Sequence, residues 1–205
     1  MNIELIAHTP NPELVIANAA RTCYDSKEKD LESSRKMIKA IIKSGHESCV
    51  EHATASFRLS EVSRVLTHEL VRHRLFSFSQ RSQRYVKENK PSYVTPDVLV
   101  DDNSANENMK KAAFLFNVAM VNAWDTYRNL LELGLKPEDA RFVLPNACTT
   151  EIVVSGNFRE YRNFLKLRLS PRAQWEIRKA ASIILDKLYE IAPSCFEDLK
   201  DGTSI

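Results

Sequence analysis

The densest run of chemically capable side chains in the sequence is Arg72-His73-Arg74 followed by Ser79-Gln80-Arg81-Ser82-Gln83-Arg84. It places four arginines and a histidine within thirteen residues, with no carboxylate among them. Guanidinium groups fork onto phosphate or carboxylate oxygens, so a donor-only cluster of this kind suits an anionic ligand. The plainer alternative is a solvated basic face paired with glutamates elsewhere in the chain. A second set of cations, Arg159, Arg162, Arg168, Arg172 and Arg178, falls near the C-terminus. Helical spacing lets Arg159 and Asn163 share a face. Arg168 falls at a helix end, where the macrodipole favours a cation even without a ligand. Arg141, between Pro137 and Pro145, is a third candidate.

Composition limits how an anion could be held. Gly45, Gly134, Gly156 and Gly202 are the only glycines and no two are close, so neither a G-x-G-x-x-G turn nor a Walker A loop can be written. Side chains must therefore grip any phosphate. Cys23, Cys49, Cys148 and Cys195 form no C-x-x-C pair and read as reduced, mostly buried thiols. No metal site is expected. His68-Glu69 to His73 is one residue too long for H-E-x-x-H, leaving the imidazoles about 140° apart on a regular helix. His46-Glu47 and Glu51-His52 suit capping or substrate contact better than metal.

The chain has 205 residues, 43% hydrophobic, with a formal net charge of +2. That is enough for one domain over residues 1–205. It is too balanced for a protein that wraps nucleic acid. No apolar run is long enough for a membrane span and the N-terminus lacks leader features, so a soluble, cytoplasmic protein is expected.

The elements that must position these residues follow an α+β pattern, with several helices around a small mixed or antiparallel sheet. Strands are expected at residues 2–7, 53–59 and 149–154, and helices at 12–23, 31–43, 61–72 and 109–133. Phe57 and Leu59 alternate with Ser56 and Arg58, as a half-buried strand requires. Residues 75–85 have no sustained period and read as a loop. Residues 101–108 read as an exposed connection, and Pro137 opens a short helical turn. Asn157 is the expected N-cap of a helix ending at Arg168, and Ser170-Pro171 the expected start of a last helix running to about residue 189.

The string RHRLFSFSQRS has the form R-H-R, seven residues, then S, and it resembles the signature of flavin-dependent thymidylate synthases. Four further blocks fit in order: Gly45-His46-Glu47-Ser48 with Glu51-His52; residues 140–145; Asn163-Phe164-Leu165 through Arg168; and residues 173–178. The resemblance implies a homotetramer with active sites at subunit interfaces. It implies FAD as cofactor, dUMP as substrate, 5,10-methylenetetrahydrofolate as one-carbon donor and NADPH as reductant, with tetrahydrofolate released. The methyltransferase it implies uses no cysteine nucleophile.

Carried over by position, the resemblance assigns flavin contacts to Ser48, Arg72, His73, Arg74, Gln80, Asn157, Arg159 and Asn163. It assigns the uracil nucleotide to Glu69, Leu70, Val71 and Arg72 on one side and Gln80, Arg81, Ser82, Gln83 and Arg84 on the other, contributed by different subunits. Arg141 matches a ligand of the dUMP phosphate. Arg168 matches the arginine that favours ionisation at N3 of the uracil, the catalytic assignment. Two positions depart from the family's pattern: Glu69 commonly carries Gln there, and Gln80 stands where several members have Glu. A carboxylate at Glu69 would repel a uracil anion unless protonated or paired with a neighbouring arginine. Two other readings use the same residues: a single-stranded nucleic-acid binder with Phe76, Phe78 and Tyr85 as stacking platforms, and a different flavoprotein acting on a uridine-like substrate.

Overall fold

The computed structural model describes residues 1–23, 30–88, 90–100 and 106–202. Its four strands, β1 (Asn2–His8), β2 (Thr54–Ser63), β3 (Ser77–Gln80) and β4 (Thr149–Asn157), form one sheet in the order β1-β2-β4-β3. Neighbours run antiparallel. Thr9 N–H donates to Thr54 O where β1 ends and β2 begins, Phe158 N–H to Ala53 O and Arg64 N–H to Cys148 O mark the β2 and β4 pairing, and Arg81 N–H donates to Glu151 O beside β3. With helices around this sheet, the α+β class holds.

Along β2 the expected alternation is met: Phe57 and Leu59 are buried and Arg58 is exposed. The strand runs on to Ser63, through a left-handed Glu61 at φ 55°. The helix expected over 61–72 is therefore shortened to α3 (Arg64–Leu70), which follows α1 (Pro12–Thr22) and α2 (Leu31–Lys43). Strand β3 lies inside the segment expected to be a loop. An edge strand pairs on one side only, so four residues with a polar pattern suffice and leave little periodicity to read.

Helix α2 has the expected bounds. Asp30 accepts from Ser33 N at 2.7 Å, and Gly45 follows at φ +77°, where a residue with a Cβ is strained. Asn106 caps α4 (Glu107–Glu132); residues 101–105 of the expected connection lie outside the described residues. The turn at Pro137 is α5 (Pro137–Ala140), and α6 (Phe158–Arg168) begins where expected, with Asn157 Oδ1 accepting from Glu160 N at 2.9 Å. The next helix starts later than expected. Gln174, not Ser170, caps α7 (Trp175–Ile191), its Oε1 taking the N–H groups of Glu176 and Ile177. Helix α8 (Pro193–Lys200) and the 3-10 turn Glu47–His52 were not anticipated.

By contact the chain forms two compact units. The first comprises Met1–Leu59, His68–Ser79 and Ile152–Ile205, the second Ser60–Thr67 and Gln80–Glu151. The core of the first is aromatic. Tyr161 packs edge-on to Phe57 at 5.5 Å and lies 4.7 Å from Phe76, which in turn meets Phe164 at 5.9 Å between centroids. The Tyr161 hydroxyl serves the carbonyls of Ala55 and Val154, so its polar end is satisfied within the core. Arg162, 1% exposed, is also satisfied, by Glu47, Asp198 and the Cys195 carbonyl. The second unit packs Trp124, Tyr127, Ala140 and Cys148 together under Tyr93, Leu130, Leu131 and Leu144. No helix among the described residues is long and apolar enough to cross a membrane.

One close approach ties the sheet to this core. A Cβ on Gly156 would lie 2.2 Å from Cδ1 of the buried Phe76 ring. Because that ring is wedged between Tyr161 and Phe164, it has nowhere to retreat. Gly156→Ala is expected to cost about 1–3 kcal/mol of stability, read as a lowered Tm in thermal unfolding at neutral pH. An unchanged Tm would mean that Phe76 yields freely.

Candidate active site

Helix α6 carries the residues around which the first unit's polar chemistry is built. Its last residue, Arg168, is held at all three guanidinium nitrogens. Nε donates to His73 Nε2 at 3.0 Å, one terminal nitrogen to Glu69 Oε2 at 2.6 Å and the other to the Glu69 carbonyl at 3.4 Å. Three of five N–H donors are thereby engaged and two are left over. The carboxylate at Glu69 thus has the arginine partner that its charge requires.

The bond to His73 fixes that ring's chemistry. A guanidinium can only donate, so Nε2 must be the bare nitrogen and Nδ1 the protonated one. Nδ1 faces Glu160 Oε1 at 3.5 Å, and both side chains are 4% exposed. Asn163 Nδ2 donates to the other oxygen of Glu160 at 3.5 Å. The imidazole packs edge-on to Phe164 at 5.0 Å and near Phe76 at 6.1 Å. Burial, helped by the Arg168 charge, lowers the His73 pKa to about 4 and keeps the ring neutral at physiological pH. Burial also holds the Glu160 carboxyl above the usual carboxylate range, against the opposing pull of Asn163.

Arg72 and Arg74 flank this buried histidine in sequence and are exposed. Among the described residues neither guanidinium has a hydrogen-bond or ion-pair partner. Beyond Arg74, Leu75 lines a cleft of about 680 Å³ together with Asn157, Arg159, Asn163, Lys166 and three glutamates, Glu47, Glu51 and Glu160. Three sequence-predicted flavin contacts, Asn157, Arg159 and Asn163, therefore share one cleft of ligand size. Arg159 is ion-paired with Glu51, and Lys166 with Glu47. Ser48 is exposed in the 3-10 turn that supplies Glu47 and Glu51. Leu70 is 1% exposed and belongs to the core, so only its backbone could meet a ligand, whereas Val71 is exposed.

The remaining predicted residues lie in the second unit. Gln80 Nε2 donates to Thr67 at 3.1 Å and to Thr150 at 3.4 Å. Arg81 pairs with Glu88, Ser82 Oγ accepts from Arg84 N, and Gln83 is buried. Arg84 places Nε and a terminal nitrogen on Glu138 Oε2, at 3.2 and 3.1 Å, while Arg141 Nε donates to the Glu138 carbonyl at 3.1 Å. One residue of α5 thus gathers two arginines that the sequence keeps far apart. Of the three proposed stacking aromatics, Phe76 is buried, Phe78 is half-buried and only Tyr85 is exposed, so a stacking platform is not formed. The Cys148 thiol, pushed up to about 11 by burial, is a poor nucleophile.

Sequence reasoning did not single out Glu160, Glu138, Leu75 or Lys166. Glu160 stands three residues after the Asn157 cap, a position that reads as helix-start chemistry and hides its use toward His73.

The family described as "Thymidylate synthase complementing protein" matches residues 4–194. A Geobacter sulfurreducens protein named flavin-dependent thymidylate synthase is 42% identical over 209 residues, spanning 98% of this chain and 88% of its own. Proteins of that name from Clostridium tetani and Saccharolobus solfataricus are each 39% identical, covering 96% of this chain and 86% and 76% of their own lengths.

The depressed His73 pKa has a stability consequence. The unfolded histidine binds a proton near pH 6.5 and the folded one near pH 4, so the contribution is whole above about 6.5 and is lost as pH falls between those values. At most about 3 kcal/mol is at stake. Gln in place of His73 offers an acceptor and a donor without titrating. The fall in Tm from pH 6.5 to 4 should be shallower in His73→Gln than in the unmodified protein; equal slopes would show that His73 does not titrate as described.

Proposed function

The chain belongs to the flavin-dependent thymidylate synthase family, and on that premise we propose that it converts dUMP to dTMP with 5,10-methylenetetrahydrofolate as one-carbon donor and NADPH as reductant. Membership makes it a flavin enzyme of the methyltransferase class. FAD is the form of flavin proposed, over a single domain of residues 1–205. Once bound, the flavin supplies the redox chemistry that lets NADPH reduce the transferred carbon to a methyl group, tetrahydrofolate leaving.

The observation that carries this reading is the 680 Å³ cleft lined by Asn157, Arg159 and Asn163. Its residues fit a flavin nucleotide: the amides of Asn157 and Asn163 stand at the wall with Arg159 and Lys166, whose charges Glu51 and Glu47 already offset, so the phosphate oxygens fall to the cations of Arg72 and Arg74, unpaired among the described residues. Ser48, His73 and Gln80 complete the proposed flavin contacts. For the nucleotide, Arg141 and Arg84, gathered by Glu138, suit a phosphate, and the remaining donors of Arg81, Ser82 and Gln83 suit the sugar and base, which Arg72 meets from a different subunit. Glu69, Leu70 and Val71 approach the base chiefly through backbone and through the Glu69 pairing with Arg168. Arg168 is the proposed catalytic residue. Its two unused N–H donors and its charge stabilise the uracil as it ionises at N3, which raises electron density at C5 and removes the need for a cysteine nucleophile.

The proposed homotetramer is supported by the apolar residues that α4 leaves bare: Phe114 is 67% exposed, Leu115 64% and Val121 50%. Such a stripe on one helix is costly in water unless covered, here by a second copy of the chain. Phe114→Asp combined with Leu115→Lys is expected to shift the mass measured by light scattering from tetramer to a smaller species. An unaltered mass would place the interface elsewhere.

For the reaction itself, the purified chain mixed with FAD and freed of excess cofactor should keep a flavin absorption band that shifts on adding dUMP. Arg168→Ala should keep that band and lose about a hundredfold or more of dTMP formation. Unchanged dTMP formation would remove Arg168 from the catalytic role, and folded protein that retains no flavin would overturn the functional reading.

A further inference from the structure

Among the polar groups buried near the proposed site, Glu160 has no assigned role. It occupies the first turn of α6 and Arg168 the last residue, about 12 Å apart along the axis, too far to touch. His73 spans the gap from outside the helix. We propose that Glu160 is a positioning residue for Arg168, acting through His73: its carboxylate, facing Nδ1 at 3.5 Å, keeps the ring proton there and leaves Nε2 to accept from Arg168 Nε at 3.0 Å.

The argument is one of donors and acceptors. A neutral imidazole has one N–H, and the partner of one nitrogen decides what the other can offer. With the proton on Nε2, an N–H would confront the Nε–H of Arg168, and the guanidinium would have to turn away. With the proton on Nδ1, both ring nitrogens are matched, provided that an acceptor stands opposite Nδ1. Glu160 is that acceptor. Water cannot easily replace it, because both side chains are almost wholly buried. Phe164 and Phe76 confine the ring, and Asn163 holds the second oxygen of Glu160, so the carboxylate is steered toward the imidazole. Glu69 secures the terminal nitrogens of Arg168; His73 secures Nε. Removing either leaves the guanidinium free to pivot about the other.

The proposal rests on the reading that Arg168 serves the nucleotide, and its test separates the two. Histidine-selective 15N spectra of the full-length protein, with and without FAD, report the His73 tautomer directly. The unmodified protein should show the proton on Nδ1. Glu160→Gln retains an oxygen acceptor and should preserve both the tautomer and turnover. Glu160→Leu removes the acceptor; it should move the proton toward Nε2 and, with FAD at saturation, lower kcat for dTMP formation about 10- to 100-fold while altering the KM for dUMP much less. A proton on Nε2 in the unmodified protein, the original tautomer or full kcat in Glu160→Leu, or lost turnover in Glu160→Gln would each overturn the proposal. Should Glu160→Leu fail to fold, the unmodified spectrum and the Gln variant still decide. An unmodified protein with the Nδ1 proton in place but no dTMP formation would strike the functional reading, leaving the alignment of Glu160, His73 and Arg168 standing.

Discussion

A guanidinium has five donors and no acceptor, so whatever surrounds Arg168 must offer lone pairs. That requirement organises the first unit's interior. Together with burial, which contributes more, it keeps His73 neutral; it settles which of its nitrogens carries the proton, and gives the Glu69 carboxylate a partner. The ring can meet the requirement only if it is held in place, and what holds it is packing. Phe76 lies three residues beyond His73 and fills the space where Gly156 lacks a Cβ, while Phe164, four residues before Arg168 on the same helix, lies against the imidazole. Shape complementarity among these side chains thus fixes the aim of a cation at the end of α6.

The arginines divide by whether a carboxylate has already claimed them. Arg81, Arg84, Arg159 and Arg168 each have an acidic partner. Arg72 and Arg74 have none among the described residues. The solvated, paired basic face that competes with any ligand-binding reading is therefore true of part of the cluster and fails at the R-H-R. Without a glycine loop to wrap successive backbone N–H groups around a phosphate, unpaired exposed guanidiniums are a ready means of holding one. Pairing has its own use. Glu138 places Arg84 and Arg141 beside one another, the first on its carboxylate and the second on its backbone carbonyl, so a residue that partly neutralises one cation also sets its distance from another.

What could be read from the sequence follows the range of the forces involved. The bounds of α2, the alternation of Phe57 and Leu59 and the Asn157 cap depend on neighbours within a turn or a strand, and they were legible. The start of α7 was misplaced because Ser170-Pro171 carries a stronger local signal than Gln174, although Gln174 satisfies two N–H groups. Strand β3 was missed because its pairing to β4 is supplied by residues some seventy positions away. In the site, the residue types that meet anions were legible from charge and from resemblance. The partnership of Glu69 with Arg168 spans 99 residues and that of His73 with Arg168 spans 95. No spacing rule reaches that far, and Glu160 was invisible for the same reason.

Glu69 sharpens the balance at this centre. A glutamine at that position would share Arg168 without neutralising it, whereas a carboxylate 2.6 Å away offsets part of its field. Both side chains retain some solvent contact, 21% for Arg168 and 30% for Glu69, so water already screens the charge that remains. The proposed stabilisation of a uracil anion then depends less on net charge than on direction: two N–H donors aimed by a guanidinium that cannot swing. A fixed dipole costs no reorganisation when charge develops beside it, while a mobile cation must be ordered first. Gripping Arg168 from both edges, by Glu69 and by the neutral His73, exchanges electrostatic strength for preorganisation, and it is that exchange which makes a buried histidine and its carboxylate partner part of the chemistry of an arginine.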